Sequence, residues 1–163
     1  MARWGKADFK ELKALDERLV RLSEVDFDTF CRKLAKNIAA RLLSRVKKRT
    51  PVGVAPEGLG ADTQAKYWSD YTGGTLRDAW TILPVEKIGN EYVVTVINPT
   101  KYASYVEYGH RQRRGRYVPA LGKRLTATWV KGQFIMTIAA QEVENMLPGL
   151  VEQKLYSLLK DVF

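Results

Sequence analysis

Six consecutive residues from Tyr92 to Ile97, Tyr-Val-Val-Thr-Val-Ile, include five with branched β-carbons, the densest such run in this chain of 163 residues. Branched side chains are restricted at χ1 and pack well on a pleated surface, so the run predicts a strand. Asn98-Pro99 closes it, because proline gives no N–H to a ladder. Upstream, Leu76 to Pro84 alternates, with Leu76, Trp80 and Ile82 on one side, and Gly89-Asn90 marks a turn. An antiparallel hairpin over 76–97 is expected, with a connection longer than the minimum. A further strand is expected near 125–130.

Helical periods surround these strands. Phe9, Leu12, Leu15, Leu19 and Leu22 recur at spacings of three and four, predicting a helix from about Asp8 to Ser23 with a narrow apolar stripe. Such a stripe docks either on a neighbouring molecule or on the next helix of the same chain. That next helix has Asp26 or Asp28 as a cap and Phe27, Phe30, Leu34, Ile38, Leu42 and Val46 on its buried face, with Ala35 and Ala39 allowing close approach. Arg41, Arg45, Lys47, Lys48 and Arg49 crowd its C-terminal end, where cations suit the helix dipole, and Thr50-Pro51 stops it. Gly132 introduces a third helix with Phe134, Ile135, Ile138, Ala139, Val143 and Met146 inward. Pro148 suits the first turn of a fourth, carrying Leu150, Val151, Leu155, Leu158, Leu159 and Val162. The expected class is α+β: a small antiparallel sheet (hairpin 76–97 plus a strand near 125–130) packed by two N-terminal and two C-terminal helices. One domain over 1–163 is expected, with 1–24 as a semi-detached helical arm.

Composition narrows the chemistry. No run of about 18 uncharged apolar residues occurs, so no membrane span is expected. The amino terminus carries charges and no apolar h-region, so no secretory signal is expected there. A lone Cys31 and a lone His110 exclude an internal disulfide and a cysteine-based metal cluster. Cys31, beside Phe30, reads as a small packed residue. The net charge of +9 points to an acidic partner, nucleic acid or protein, or to a solvated basic surface.

Two segments lack a hydrophobic period or break it. Residues 51–75 are punctuated by Pro and Gly and present Tyr67, Trp68 and Tyr71 in a polar setting, which reads as partner contact or as packing back on the domain. Residues 102–119 set Tyr102, Tyr105 and Tyr108 beside Glu107, turn at Gly109, and place Arg111, Arg113, Arg114 and Arg116 before Tyr117. Guanidinium forks bind phosphates or clamp carboxylates of a neighbouring subunit, and nearby aromatics stack bases. Glu107 and His110 stand three apart and could pair as acid and base. Nothing in the chain completes a catalytic set around them, so Glu107, Gly109 and His110 are expected to position the loop. No catalytic residue, metal or cofactor is expected.

Six short motifs come in a fixed order: Lys-Lys-Arg-Thr-Pro-Val at 47–52, Gly-Gly-Thr-Leu-Arg-Asp-Ala-Trp at 73–80, Val-Ile-Asn-Pro at 96–99, Tyr-Ala-Ser-Tyr-Val-Glu-Tyr-Gly-His-Arg at 102–111, Tyr-Val-Pro at 117–119 and Trp-Val-Lys-Gly-Gln-Phe at 129–134. Together they resemble the minor tail-component family of long-tailed bacteriophages and prophages, the tail-completion or head–tail joining proteins, over roughly Lys47 to Leu155. The 51–73 segment looks expanded against that pattern, and Ala120 stands where Gly is common. The resemblance implies a non-enzymatic virion protein, similar in fold to tail terminators. It implies a ring, often of six copies, at the head-proximal end of the tail tube, which ends tube growth and meets the head. Implied partners are further copies, the tube protein, head–tail connector proteins and passing DNA, with assembly in the host cytoplasm. A head-side adaptor and a non-specific nucleic-acid binder are the competing expectations.

Overall fold

A computed structural model of the chain describes residues 10–23 and 27–162. The expected helix start at Asp8, Phe9 and the cap at Asp26 fall outside these residues, as do the side chains of Leu12, Leu15 and Leu22. Helix α1 is Lys10–Ser23 and α2 is Phe27–Arg49. Short helices follow at Ala61–Trp68 (α3) and Thr75–Asp78 (α4). Four brief strands come next, β1 Thr81–Ile82, β2 Glu86–Ile88, β3 Glu91–Val93 and β4 Val96–Ile97. Helix α5 (Ala103–Tyr108) leads into β5 (Gly109–Arg111), β6 (Tyr117–Val118), a 3-10 turn at Pro119–Leu121, β7 (Lys123–Arg124) and β8 (Trp129–Lys131). Helix α6 runs from Ile135 to Val162. The class is α+β.

The strands form four two-stranded antiparallel ladders among the described residues rather than one sheet. β1 pairs with β4 and β2 with β3, in register Ile82 to Val96 and Lys87 to Tyr92. Leu83 N–H donates to the Thr95 carbonyl at 2.8 Å between the two ladders. The hairpin and its Gly89-Asn90 turn are as expected, but its first strand begins at Thr81. Residues 75–78 are helical instead, entered through Gly74 at φ 84°. The strand expected near 125–130 is Trp129–Lys131, and it pairs with Gly109–Arg111, not with the hairpin.

The two expected C-terminal helices are one. Pro148 lies inside α6 with its ring exposed, and Gly149 beside it adds no side chain to the crowded turn. A proline here removes one intrahelical N–H and leaves the Glu144 carbonyl to solvent.

The core sits where α2 crosses α6. Ala35, Ala39 and Val46 face Ile135, Ala139 and Val143, and small residues let the two backbones approach. Trp80 joins Val46, Ile135 and Ala139 from the start of the hairpin, with Leu42, Leu43, Val96, Val106 and Met136 packed around them. Phe27, Phe134, Ile138 and Met146, expected inside, are exposed. Helix α1 runs alongside α6. Among the described residues no helix is long and apolar enough to cross a membrane.

A buried polar knot closes the core at the end of α2. Thr50 is fully buried; its hydroxyl donates to the Val46 carbonyl at 2.6 Å and accepts the Trp80 indole N–H at 2.8 Å. The Thr50 carbonyl, left free where Pro51 ends the helix, accepts two bonds from the Arg77 guanidinium at 2.9 and 2.7 Å. Arg77 projects that fork from α4.

A second polar centre ties α2 to the hairpin. Asp28, in the first turn of α2, takes Arg32 at 2.6 Å, Lys87 at 3.0 Å and the Tyr92 hydroxyl at 2.8 Å. Its bonds to Arg32, Tyr92 and Lys87 hold the carboxyl well below the usual carboxylate range, and Asp28 with Tyr92 pushes Lys87 up.

Candidate functional site

Residues 109–131 form a two-rung arm that joins the body at its root and meets α3 again through the turn at Pro119–Leu121. β5 and β8 make its lower rung and β6 and β7 its upper one. Between them Gln112 N–H reaches the Thr128 carbonyl at 3.0 Å, and Leu125 N–H reaches the Arg116 carbonyl at 2.9 Å. The cationic loop expected from sequence is therefore a hairpin in which Arg111 and Tyr117 are strand residues.

The root of the arm explains Gly109 and Gly132. A Cβ at Gly132 would run into the Glu107 carbonyl, and one at Gly109, where φ is 83°, would run into the Val130 carbonyl. The two backbones touch there, and only glycine permits it.

Next to this root, two helix ends satisfy each other. Val106 and Glu107 at the end of α5 have carbonyls without intrahelical partners. These accept Gln133 N–H at 2.8 Å and Phe134 N–H at 3.0 Å. In return the buried Glu107 carboxylate accepts the N–H groups of Met136 at 2.9 Å and Thr137 at 3.0 Å, plus the Thr137 hydroxyl at 2.8 Å. A carboxylate over the first turn of a helix is also favoured by the helix dipole. Phe134 occupies the join at φ 51°, the one non-glycine residue with positive φ among those described.

Glu107 consequently does not pair with His110. Its oxygens are spent on α6, whereas His110 Nδ1 is buried without a hydrogen-bond partner among the described residues, and its ring lies 5.5 Å from that of Tyr105. Among the described residues no group of His, Cys, Asp and Glu is arranged to hold a metal ion.

At the tip, Arg113, Arg114, Gly115, Arg116, Tyr117 and Arg124 surround a shallow cleft. Arg124 donates to the Gly115 carbonyl at 2.8 Å, which fixes it beside the other three. Sequence reading missed Arg124, which reaches the cluster only across the β6–β7 ladder. Arg111 sits lower, on β5.

Helix α3 joins the 51–75 segment to the arm. Trp68, expected as an interface aromatic, spends its indole N–H on the Ala120 carbonyl at 2.7 Å. Its ring meets Tyr71 edge-on at 4.8 Å. Tyr67 and Tyr71 remain exposed.

The tyrosines in and just before α5 lie on the surface. Tyr102, Tyr105 and Tyr108 are exposed, Tyr108 by 63%, and Trp129 and Phe134 continue the aromatic face. Tyr108 meets Phe134 edge-on at 6.5 Å. These side chains leave an apolar and aromatic patch for another molecule to cover.

A family model described as "Bacteriophage HK97-gp10, putative tail-component" matches residues 13–109. The match runs from α1 through α5 and ends at the root of the arm. The Tyr-Val-Pro and Trp-Val-Lys-Gly-Gln-Phe motifs, the arginine tip and α6 lie beyond it. No curated protein and no solved structure matches the chain.

Proposed function

Since the chain belongs to the HK97-gp10-like family of bacteriophage tail components, we propose that it serves in the virion as one copy of a closed ring at the head-proximal end of the tail tube. The family membership makes it a structural component of a phage tail. The ring, its six-fold count and the completion of the tube are the finer reading. In that reading the protein ends tube growth and gives the filled head a surface to dock on, and its work is binding rather than catalysis.

The observation that carries this is the unburied aromatic face of α5, β8 and the start of α6. A ring is built from heterologous contacts, in which one surface of each subunit meets a different surface of the next. Rigid aromatics supply most of the energy of such contacts. Tyr105, Tyr108 and Trp129 would then meet a neighbouring copy. Tyr67, Tyr71 and the arm, including Arg111, Arg113, Arg114, Arg116 and Tyr117, would face the neighbouring copies, the tube and the head connector. Glu107, Gly109 and His110 would hold the arm root in place for those contacts. Assembly would take place in the host cytoplasm before the protein enters the particle.

Analytical ultracentrifugation over a wide concentration range, with negative-stain images of the largest species, tests the ring. Closed rings and a labelled copy at the head-proximal end of purified tails are expected. A protein that stays solitary at every concentration and is missing from purified tails ends the reading.

A further inference from the structure

The charge of this chain is not spread over its surface. Between Glu107 and Glu142 there is no Asp or Glu, while Arg111, Arg113, Arg114, Arg116, Lys123, Arg124 and Lys131 all lie there. Those seven leave twenty basic and eighteen acidic side chains elsewhere, a net of +2 out of the total of +9. The arm therefore carries almost all of the excess.

None of its guanidiniums forms an ion pair among the described residues. The ion pairs among the described residues join Asp28 to Arg32 and Lys87, and Glu142 to Arg45 and Arg49. Four arginines held around one cleft repel one another unless an anion lies between them. A cluster kept at that cost has a use, because solubility is served as well by scattered charge.

The lining of the cleft identifies the anion. It consists of guanidinium groups, glycine backbone and one tyrosine, with no aliphatic side chain. The centre of a protein–protein contact admits arginine but sets it among apolar and aromatic neighbours, and here only Tyr117 is of that kind. Surfaces that meet DNA are polar and strongly positive, and arginine forks match phosphate oxygens two at a time. With no further aromatic in the cleft to stack bases, contact is to the sugar–phosphate backbone, without choice of sequence.

We propose that the arm tip, Arg113, Arg114, Arg116 and Arg124, grips the phosphate backbone of double-stranded DNA. This rests on the ring reading above for its location, since a ring at the end of the tail tube encloses the path of the genome. Beyond Gly109 the arm lies outside the matched residues 13–109.

The test is fluorescence anisotropy with a labelled mixed-sequence duplex of about 20 base pairs, titrated between about 50 and 200 mM salt. Wild-type protein is expected to bind, equally on unrelated sequences, with affinity falling steeply as salt rises. R113S/R114S/R116S is expected to bind roughly tenfold or more weakly at low salt and to lose about 2 to 3 from the log–log salt slope, near 0.9 per phosphate contact. R113K/R114K/R116K, which keeps the charge, is expected to retain most of the slope. No binding by wild-type protein at about 50 mM salt overturns the proposal whatever the variants do. Binding to polyglutamate in preference to the duplex overturns it in favour of an acidic protein partner. Sedimentation without DNA separates the two readings: rings that ignore DNA sink this proposal alone, and a DNA-binding protein that never forms rings sinks the ring.

Discussion

The indole N–H of Trp80 ends on the hydroxyl of Thr50, 2.8 Å away, and that hydroxyl in turn donates a hydrogen bond to the Val46 carbonyl. The end of α2 and the start of the hairpin are thus joined by one buried oxygen. Replacing Thr50 by Val keeps the volume and strands the indole donor, a cost of about 1–3 kcal/mol. Replacing it by Ser keeps the oxygen and removes one methyl, a cost of about 0.8 kcal/mol. Urea unfolding followed by tryptophan fluorescence is expected to rank T50V as the more damaging. The opposite order would show the oxygen to be incidental.

Glu107 links two helix ends, so its loss is expected to be local before it is global. E107Q removes the charge over α6 and turns an amide toward N–H groups that need an acceptor. About 1.5–3 kcal/mol is at stake, the range for bonds to charged groups. Hydrogen exchange is expected to speed up at the amides of Met136 and Thr137 while the middle of α2 keeps its protection. Uniform acceleration throughout the chain would place the role of Glu107 elsewhere.

Three glycines are expected to answer differently to alanine. G132A drives a methyl into the Glu107 carbonyl and G109A adds a left-handed backbone to a similar collision, so both are expected to be severely destabilised. Gly149 has open space around it and an ordinary helical backbone. G149A is expected to stabilise by about 0.4–1 kcal/mol through the unfolded chain. Thermal melts of the three variants decide it.

Acid is expected to loosen the hairpin from α2. The folded-state value of Asp28 lies below its unfolded one, so its contribution is complete at neutral pH and drains away as pH falls below about 4. Glu142, held low by Arg45 and Arg49, adds to the same loss. Lys87 is raised, so its contribution persists through neutral pH and is lost only above about 10.4. The difference in melting temperature between wild type and D28N is expected to hold from about pH 7 to pH 5 and then to shrink as the pH falls from about 4 toward 2. A difference that holds constant across that range would remove Asp28 from the linkage.

What was legible in the sequence was whatever depends on near neighbours. The apolar spacing of α2, its stop at Thr50-Pro51 and the turn at Gly89-Asn90 are local signals, and the structure carries each of them. The alternation of residues 76–79 suits a strand, whereas Arg77 is drawn into α4 by a carbonyl 27 positions earlier. Pro148 suits a helix start by residue type, and sequence does not tell that its ring faces solvent. The role of Glu107 was hidden for a related reason: its partners are 29 and 30 residues downstream. Arg124 could have been found by noting how far the chain runs without an acidic residue. The exposure of Tyr102, Tyr105 and Tyr108 could not, because aromatic content looks the same whether it faces inward or outward.

The touching glycines at the root make the arm a lever with a very short fulcrum. Its two strands emerge side by side, and the neighbouring backbone runs straight into the first turn of α6, a rod of 28 residues and so about 42 Å long. Any load at the arginine end is delivered to that rod near its tip, where Glu107 fastens it. Mechanical strain from a bound partner would thus enter the core at once, through Ile135 and Ala139, and from there run the length of the subunit along α6.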